Sequence, residues 1–165
     1  MIRLALFAPL MLLSACNLQP LYSGGSGGVV ATILSGIQVA NIEGKAGWLM
    51  NGALRDRLQA SGAPRYRLEV ELDDRITGFG VRRDDAVTRE RRTLRARYRL
   101  IEVGPGTVVL DATAGSDAGI DVVGSDYATI AAENSALERL TGVVADQIVE
   151  RVALFARRTA EAVPQ

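Results

Sequence analysis

Two segments of alternating apolar and charged residues constrain the fold of this chain more than any other feature. Residues 66–73 alternate tyrosine, leucine or valine with mostly acidic residues, and residues 93–100 alternate leucine, alanine or tyrosine with threonine and arginine. A period of two is typical of strands with one buried face. Antiparallel pairing would set Glu69 and Glu71 against arginines, which stabilises a sheet by about 0.2–1 kcal/mol per pair.

Two further strands are predicted beside this pair. Residues 29–42 are rich in valine and isoleucine and predict a first strand, with a bulge near Ser35-Gly36. Residues 108–114 repeat the period of two after the turn signal Gly104-Pro105-Gly106 and predict a fourth. The last three strands are therefore expected to form a meander.

Helical spacing of apolar residues appears twice. It predicts one helix from Lys45 to about residue 61, with Trp48 packed in the core or at its rim rather than clamping a ligand. A polar connection over 115–124 leads to Ser125, the predicted N-cap of a long helix over about 127–160, whose apolar stripe includes Ile130. The order β-α-β-β-β-α predicts a two-layer α+β sandwich, with two helices on one face of a four-stranded, mainly antiparallel sheet.

The N-terminus has the features of a bacterial lipoprotein. Leu13-Ser14-Ala15-Cys16 ends an apolar run that is too short to span a membrane and reads as a lipobox. We expect residues 1–15 to be a signal peptide, residues 16–28 a lipidated Cys16 with a flexible Gly/Ser tether, and residues 29–165 a single α+β domain. The alternative is a soluble secreted protein in which Cys16 is incidental to the signal.

Composition excludes several classes of function. The chain has 19 basic and 19 acidic residues, and removal of Arg3 with the signal peptide leaves 18 against 19, which argues against a nucleic-acid partner. It has no histidine and one cysteine, so neither a zinc site nor a Ser-His or Cys-His nucleophile can be assembled. We expect no enzyme activity, no metal and no cofactor apart from the covalent lipid on Cys16.

The segment between the second and third strands carries a cluster of arginines. The cluster follows Gly78-Phe79-Gly80, which is expected to be a turn, and is interleaved with acidic residues. Its members are Arg82, Arg83, Arg89, Arg91 and Arg92. One interpretation is a solvated loop of mixed charge. The other is an anion site, because guanidinium groups bind phosphates in bidentate fashion.

Several short motifs together resemble the LptE family of lipopolysaccharide-assembly lipoproteins, in its alphaproteobacterial form. The lipobox and Pro20-Leu21-Tyr22 are similar to that family's opening, although Asn17 and Leu18 stand where the family has glycine and phenylalanine. Further similarity lies in Asn51-Gly52-Ala53-Leu54, in residues 126–133 and in Ala145-Asp146-Gln147-Ile148.

The resemblance implies a partner role without catalysis. Such lipoproteins lie at the periplasmic face of the outer membrane, plug the lumen of the β-barrel translocon LptD and help lipopolysaccharide to pass outward. The family contacts lipopolysaccharide through basic loop residues, for which Arg82, Arg83 and Arg89 are the nearest candidates here. Two other functions stay open: an auxiliary lipoprotein of an ABC-type lipid-transport system, and an envelope scaffold.

Overall fold

The computed structural model describes residues 28–81, 87–122 and 124–162. The predicted signal peptide (1–15), Cys16 and the tether up to residue 27 lie outside this range. The elements in chain order are α1 (Val29–Ser35), β1 (Ile37–Val39), α2 (Gly44–Leu58), β2 (Tyr66–Val81), β3 (Val87–Glu102), β4 (Val108–Asp121) and α3 (Asp126–Ala162). The prediction of an α+β fold is confirmed, with one additional short helix.

The sheet has the strand order β1-β2-β3-β4. β1 pairs parallel with β2, and the other two pairings are antiparallel, so the predicted meander is confirmed. Glu69 lies opposite Arg99, and Glu71 lies opposite Arg97. Arg99 Nη2 is 3.2 Å from Glu69 Oε2 and 3.6 Å from Glu71 Oε1, which confirms the predicted pairing of acidic and basic strand faces.

All of the core lies on one side of the sheet. The inward residues of β2 and β3 pack against α2 and α3, and the fully buried side chains include Leu68, Leu94, Leu100, Met50, Leu54, Val144 and Ile148. On α3, Leu137 is buried and its neighbour Glu138 is exposed, as the helical periodicity predicts. Apolar burial is therefore confined to the helix side, and the opposite face of the sheet stays open to solvent.

The prediction of one strand over residues 29–42 is wrong. Residues 29–35 form α1, and only residues 37–39 form a strand. Val30, Ile33 and Leu34 follow a helical i, i+3, i+4 spacing and pack against the core. The expected bulge near Ser35-Gly36 is the end of this helix, because the amide of Gly36 donates to the carbonyl of Ile33.

The prediction that residues 78–80 form a turn and residues 115–124 a loop is also wrong. β2 runs to Val81 and β4 runs to Asp121, and both pair with β3 along this length. Glycine within a strand is destabilising by about 0.5–1 kcal/mol relative to alanine, but these segments keep their backbone pairing with β3. Residues 89–92 and 115–121, which were predicted to lie in loops, therefore belong to the sheet, whereas residues 82–86 lie outside the described part of the chain.

Two residues expected to be covered are exposed. Trp48 is 75% exposed, so the prediction of core or rim packing is wrong. Ile130 is 54% exposed, because the first turns of α3 extend beyond the part of the helix that packs on the core. The predicted N-cap is confirmed, since the amide of Ala128 donates to Ser125 Oγ at 3.5 Å.

A half-buried ion pair holds the first part of α3 to the sheet. Arg92 lies on the helix side of β3, where its Nε donates to Asp74 Oδ1 at 2.8 Å and its Nη2 donates to Asp74 Oδ2 at 2.5 Å. Its Nη1 donates to the carbonyl of Glu133 in α3 at 2.9 Å. One guanidinium therefore connects β2, β3 and α3.

We expect Arg92→Leu to destabilise the protein by about 2–3 kcal/mol, because it leaves the Asp74 carboxylate and the Glu133 carbonyl partly buried without a partner. The double variant Arg92→Leu/Asp74→Leu should recover most of this loss. Urea unfolding measures both, with Arg75→Leu as the matched control, since Arg75 pairs with Asp73 at an exposed site and should cost under about 1 kcal/mol. Equal midpoints for Arg92→Leu and Arg75→Leu would contradict the role given to Arg92.

Candidate functional site

The open face of the sheet, on the side away from the helices, carries a row of arginines along its central region. In β3 the even-numbered residues from 92 to 100 are buried towards the helices. The odd-numbered residues of the strand therefore point to the open face. Five of these are arginines, at positions 89, 91, 95, 97 and 99. Because β3 lies between β2 and β4, this row is flanked by the outward residues of both neighbours.

Acidic residues on the neighbouring strands neutralise most of this row. Arg97 Nη2 is 3.0 Å from Asp111 Oδ2, and Arg95 Nη2 is 3.5 Å from Asp117 Oδ1. The hydrogen bond from Arg97 lowers the pKa of Asp111. These contacts are solvent-exposed, so they fix the order of charges on the open face more than they stabilise the fold.

Gly115 of β4 makes room for one of these contacts. A Cβ atom at this position would lie 2.5 Å from Arg95 Cδ and 2.6 Å from Arg95 Nη1. The Arg95 side chain therefore lies across the glycine on its way to Asp117. On the same residue, the backbone amide donates to Gln147 Oε1 of α3 at 3.1 Å, so a helix side chain satisfies an edge amide of the sheet.

The charge balance changes towards the end of the β2–β3 hairpin, which we call the distal hairpin (residues 73–81 and 87–95). Arg91 makes no ion pair within the described ranges, and its guanidinium carbon lies 5.4 Å from the centroid of the Phe79 ring. Phe79, which alternates onto the same open face, is 40% exposed. The distal hairpin thus presents a cation beside an apolar ring, which suits an amphiphilic anion.

Of the three arginines predicted to contact lipopolysaccharide, the structure describes only Arg89. Arg82 and Arg83 lie outside the described residues. Arg89 is exposed on the distal hairpin, and its Nε is 3.2 Å from Asp121 Oδ1, so a neighbouring carboxylate shares its charge. Arg91 belongs to the predicted arginine cluster but is not one of the three arginines assigned to lipopolysaccharide, and the structure places it on the open face.

Two classes of feature are absent from the described part of the chain. No helix within residues 28–81, 87–122 and 124–162 is both long enough and apolar enough to cross a bilayer. Over the same ranges, no three histidine, cysteine, aspartate or glutamate residues are grouped as metal ligands.

Several solved structures share the fold of this chain. A protein described as a lipoprotein from Caulobacter crescentus CB15 superposes with a TM-score of 0.66 at 25% identity, covering 84% of this chain and 100% of that one. Rare lipoprotein B from Shewanella oneidensis gives 0.61 at 10% identity, covering 75% and 96%. Lipoprotein B from Nitrosomonas europaea gives 0.57 at 12% identity, covering 76% and 84%. The last two show similarity of fold alone.

The sequence itself gives the family. No curated protein matches the chain significantly. The family model described as LptE, lipopolysaccharide-assembly, matches residues 34–152, which extend from the end of α1 into the second half of α3 and include the whole sheet. This match covers well over half of the chain, and the chain therefore belongs to the LptE lipopolysaccharide-assembly family.

Proposed function

We propose that this protein is a lipid-anchored, non-catalytic partner of the outer-membrane β-barrel LptD and assists lipopolysaccharide assembly from the periplasmic side. The observation that carries the proposal is the family match over residues 34–152, which includes every strand of the sheet. The rare lipoprotein B of Shewanella oneidensis has the same fold. A partner role also agrees with the composition, which lacks histidine.

The open face supports contact with the lumen of a barrel. The interior of a large outer-membrane barrel is polar and hydrated. Apolar side chains on a protein surface that enters the barrel would therefore find few apolar partners there. The open face of this sheet is an ordered array of paired charges, in which Arg97–Asp111 and Arg99–Glu69 are examples. Such an array can exchange its water contacts for polar groups of the barrel wall without burying an unpaired charge.

The proposal includes anchoring through Cys16 at the outer membrane. Several acyl chains on one N-terminal cysteine give stable membrane attachment, whereas a single chain gives marginal attachment. Asn17, which follows the cysteine, agrees with outer-membrane delivery, because aspartate at that position is the common signal for retention. Mass spectrometry of the mature N-terminus should show an acylated Cys16. An unmodified N-terminus, or cleavage at another residue, would contradict this part of the proposal.

Co-purification tests the partnership. We expect the tagged full-length protein, extracted in mild detergent, to recover an outer-membrane barrel in a 1:1 complex. Reversing two charges of the open face, Arg97→Glu with Arg99→Glu, should reduce the recovery at least tenfold, because both pairs would become repulsive. The matched control reverses Arg139 and Arg158, which are exposed on α3. Recovery of an inner-membrane permease in place of a barrel would support the ABC-transport alternative and overturn the proposal.

The proposed contact for the phosphates of lipopolysaccharide is Arg89 of the distal hairpin together with Arg82 and Arg83, which follow β2 in the sequence. Replacing Arg82, Arg83 and Arg89 together by alanine should weaken glycolipid binding by about tenfold, or about 1.4 kcal/mol. We expect no larger effect because Arg89 already shares its charge with Asp121, and binding should weaken further as salt screens these exposed charges.

The glycolipid measurement uses the full-length protein in detergent at two salt concentrations. The matched control replaces three exposed arginines of α3, at positions 139, 151 and 158, so that the net charge of the two variants is equal. If both triple variants bind the glycolipid with the same affinity, the distal arginines form a solvated surface and not a phosphate site.

A further inference from the structure

A groove lies between α2 and α3, on the side of the molecule opposite the open face. Its volume is about 630 Å3, and its lining includes Trp48, Leu49, Gly52, Asp56, Glu138 and Gly142. The two helices run side by side in the same direction, since Lys45 contacts Asn134 and Arg57 contacts Asp146. The volume lies within the range of small-molecule sites in proteins.

Gly52 of α2 and Gly142 of α3 both line this groove, and the packing of the fold requires neither glycine. A Cβ atom at Gly52 would meet nothing within 4 Å, and one at Gly142 would meet only Arg57 Nη2, at 3.8 Å. Glycine within a helix is destabilising by about 0.5–1 kcal/mol relative to alanine. Each helix is therefore less stable than it would be with alanine at this position. A side chain there would occupy the groove without a close contact to the rest of the protein.

The only tryptophan of the chain stands at the edge of the same groove. Trp48 precedes Gly52 by four residues, so the two lie on one face of α2. Its side chain is 75% exposed, which leaves a large aromatic surface in water. The electron-rich face of an indole attracts the weakly positive C–H groups of a ligand that lies flat against it.

The polar lining is balanced in charge. The lining contains two basic residues, Arg55 and Arg57, and two acidic residues, Asp56 and Glu138. Arg57 is committed to the fold, since it donates to Asp146 Oδ1 at 2.5 Å and to the carbonyl of Ala53 at 2.9 Å. Within the described ranges the side chains of Arg55, Asp56 and Glu138 form no hydrogen bond or ion pair. The groove therefore offers both donors and acceptors to a ligand.

This lining selects one class of ligand. A phosphate or carboxylate would require an excess of cations, which Asp56 and Glu138 remove. An acyl chain would require an apolar lining, whereas half of these residues are polar or charged. A neutral sugar satisfies both conditions, because its ring has an apolar face for the indole and its hydroxyl groups both donate to carboxylates and accept from guanidinium groups.

We propose that the α2–α3 groove binds a short neutral saccharide, stacked on Trp48 and held by Arg55, Asp56 and Glu138. This site is separate from the distal hairpin and does not depend on the proposed partnership with the barrel. Two sources present this chemistry in the bacterial envelope, namely the sugar portion of the glycolipid and the glycan strands of the cell wall.

The fluorescence of Trp48 gives a direct readout, since no other residue of the chain is a tryptophan. The full-length protein in detergent is titrated to millimolar concentration with two neutral probes, N-acetylglucosamine trisaccharide and an oligosaccharide released from lipopolysaccharide that is free of lipid, phosphate and acidic sugars. We expect saturable changes in emission with at least one probe. Binding of the trisaccharide alone indicates the cell-wall glycan, and binding of the oligosaccharide alone indicates the glycolipid.

Gly52→Gln tests the groove without endangering the fold. Glutamine is a better helix former than glycine, and the space at Gly52 is open, so the urea midpoint should be unchanged or higher while the affinity falls at least tenfold. Ala131→Gln, at an exposed position of α3 outside the groove, is the matched control and should bind as the parent does.

Two results would overturn the saccharide site. One is equal affinity of Gly52→Gln and the parent for the probe. The other is the absence of a saturable change in Trp48 emission with either probe; if the emission then shifts when the barrel complex forms, the groove is assigned to a protein contact. Loss of barrel recovery in the co-purification experiment would leave the saccharide titration unaffected, so the two proposals fail separately.

Discussion

The two-residue alternation of β3 is the constraint on which the rest of this structure depends. Leu94, Ala96, Tyr98 and Leu100 are buried against the helices, and the residues that alternate with them are threonine at position 93 and arginine at positions 95, 97 and 99. Sliding the strand by one residue would bury arginines and expose the leucines, so its register is strongly specified. Because β3 lies between β2 and β4, the same alternation decides which face of the sheet the helices cover and which face stays charged.

The positions of the charged residues on the open face, and not the net charge of the chain, decide where a cationic surface forms. The chain carries equal numbers of basic and acidic residues, and the arginines in the middle of β3 each lie beside a carboxylate. Towards the distal hairpin the pairing becomes incomplete, since Arg91 contacts the ring of Phe79 instead. A chain with balanced numbers of basic and acidic residues can therefore present a local cationic and apolar surface, formed by Arg91 and Phe79, at one end of its sheet.

The sequence predicted the features that rest on periodicity and missed those that rest on tertiary contacts. The α+β class, the meander, the pairing of Glu69 with arginine and the N-cap at Ser125 all follow from local spacing. The length of β2 and β4 does not, because glycine-rich segments indicate turns unless a neighbouring strand pairs with them. α1 was missed because a short run of valine and isoleucine suits either a strand or a helix. Of the candidate site, the position of Arg89 beside Asp121 required the strand register.

The glycines show how folding and binding can be separated in this chain. Gly47 is required by the fold, since a Cβ atom there would lie 2.5 Å from the carbonyl oxygen of Ile42, and Gly115 is required by the path of Arg95. No such contact explains Gly52 or Gly142, and no packing explains the exposure of Trp48. Residues that lower stability without a structural reason are expected at functional sites. Their concentration in one groove, on the helix layer and away from the open face, therefore favours a second binding surface that can act while the sheet contacts a partner.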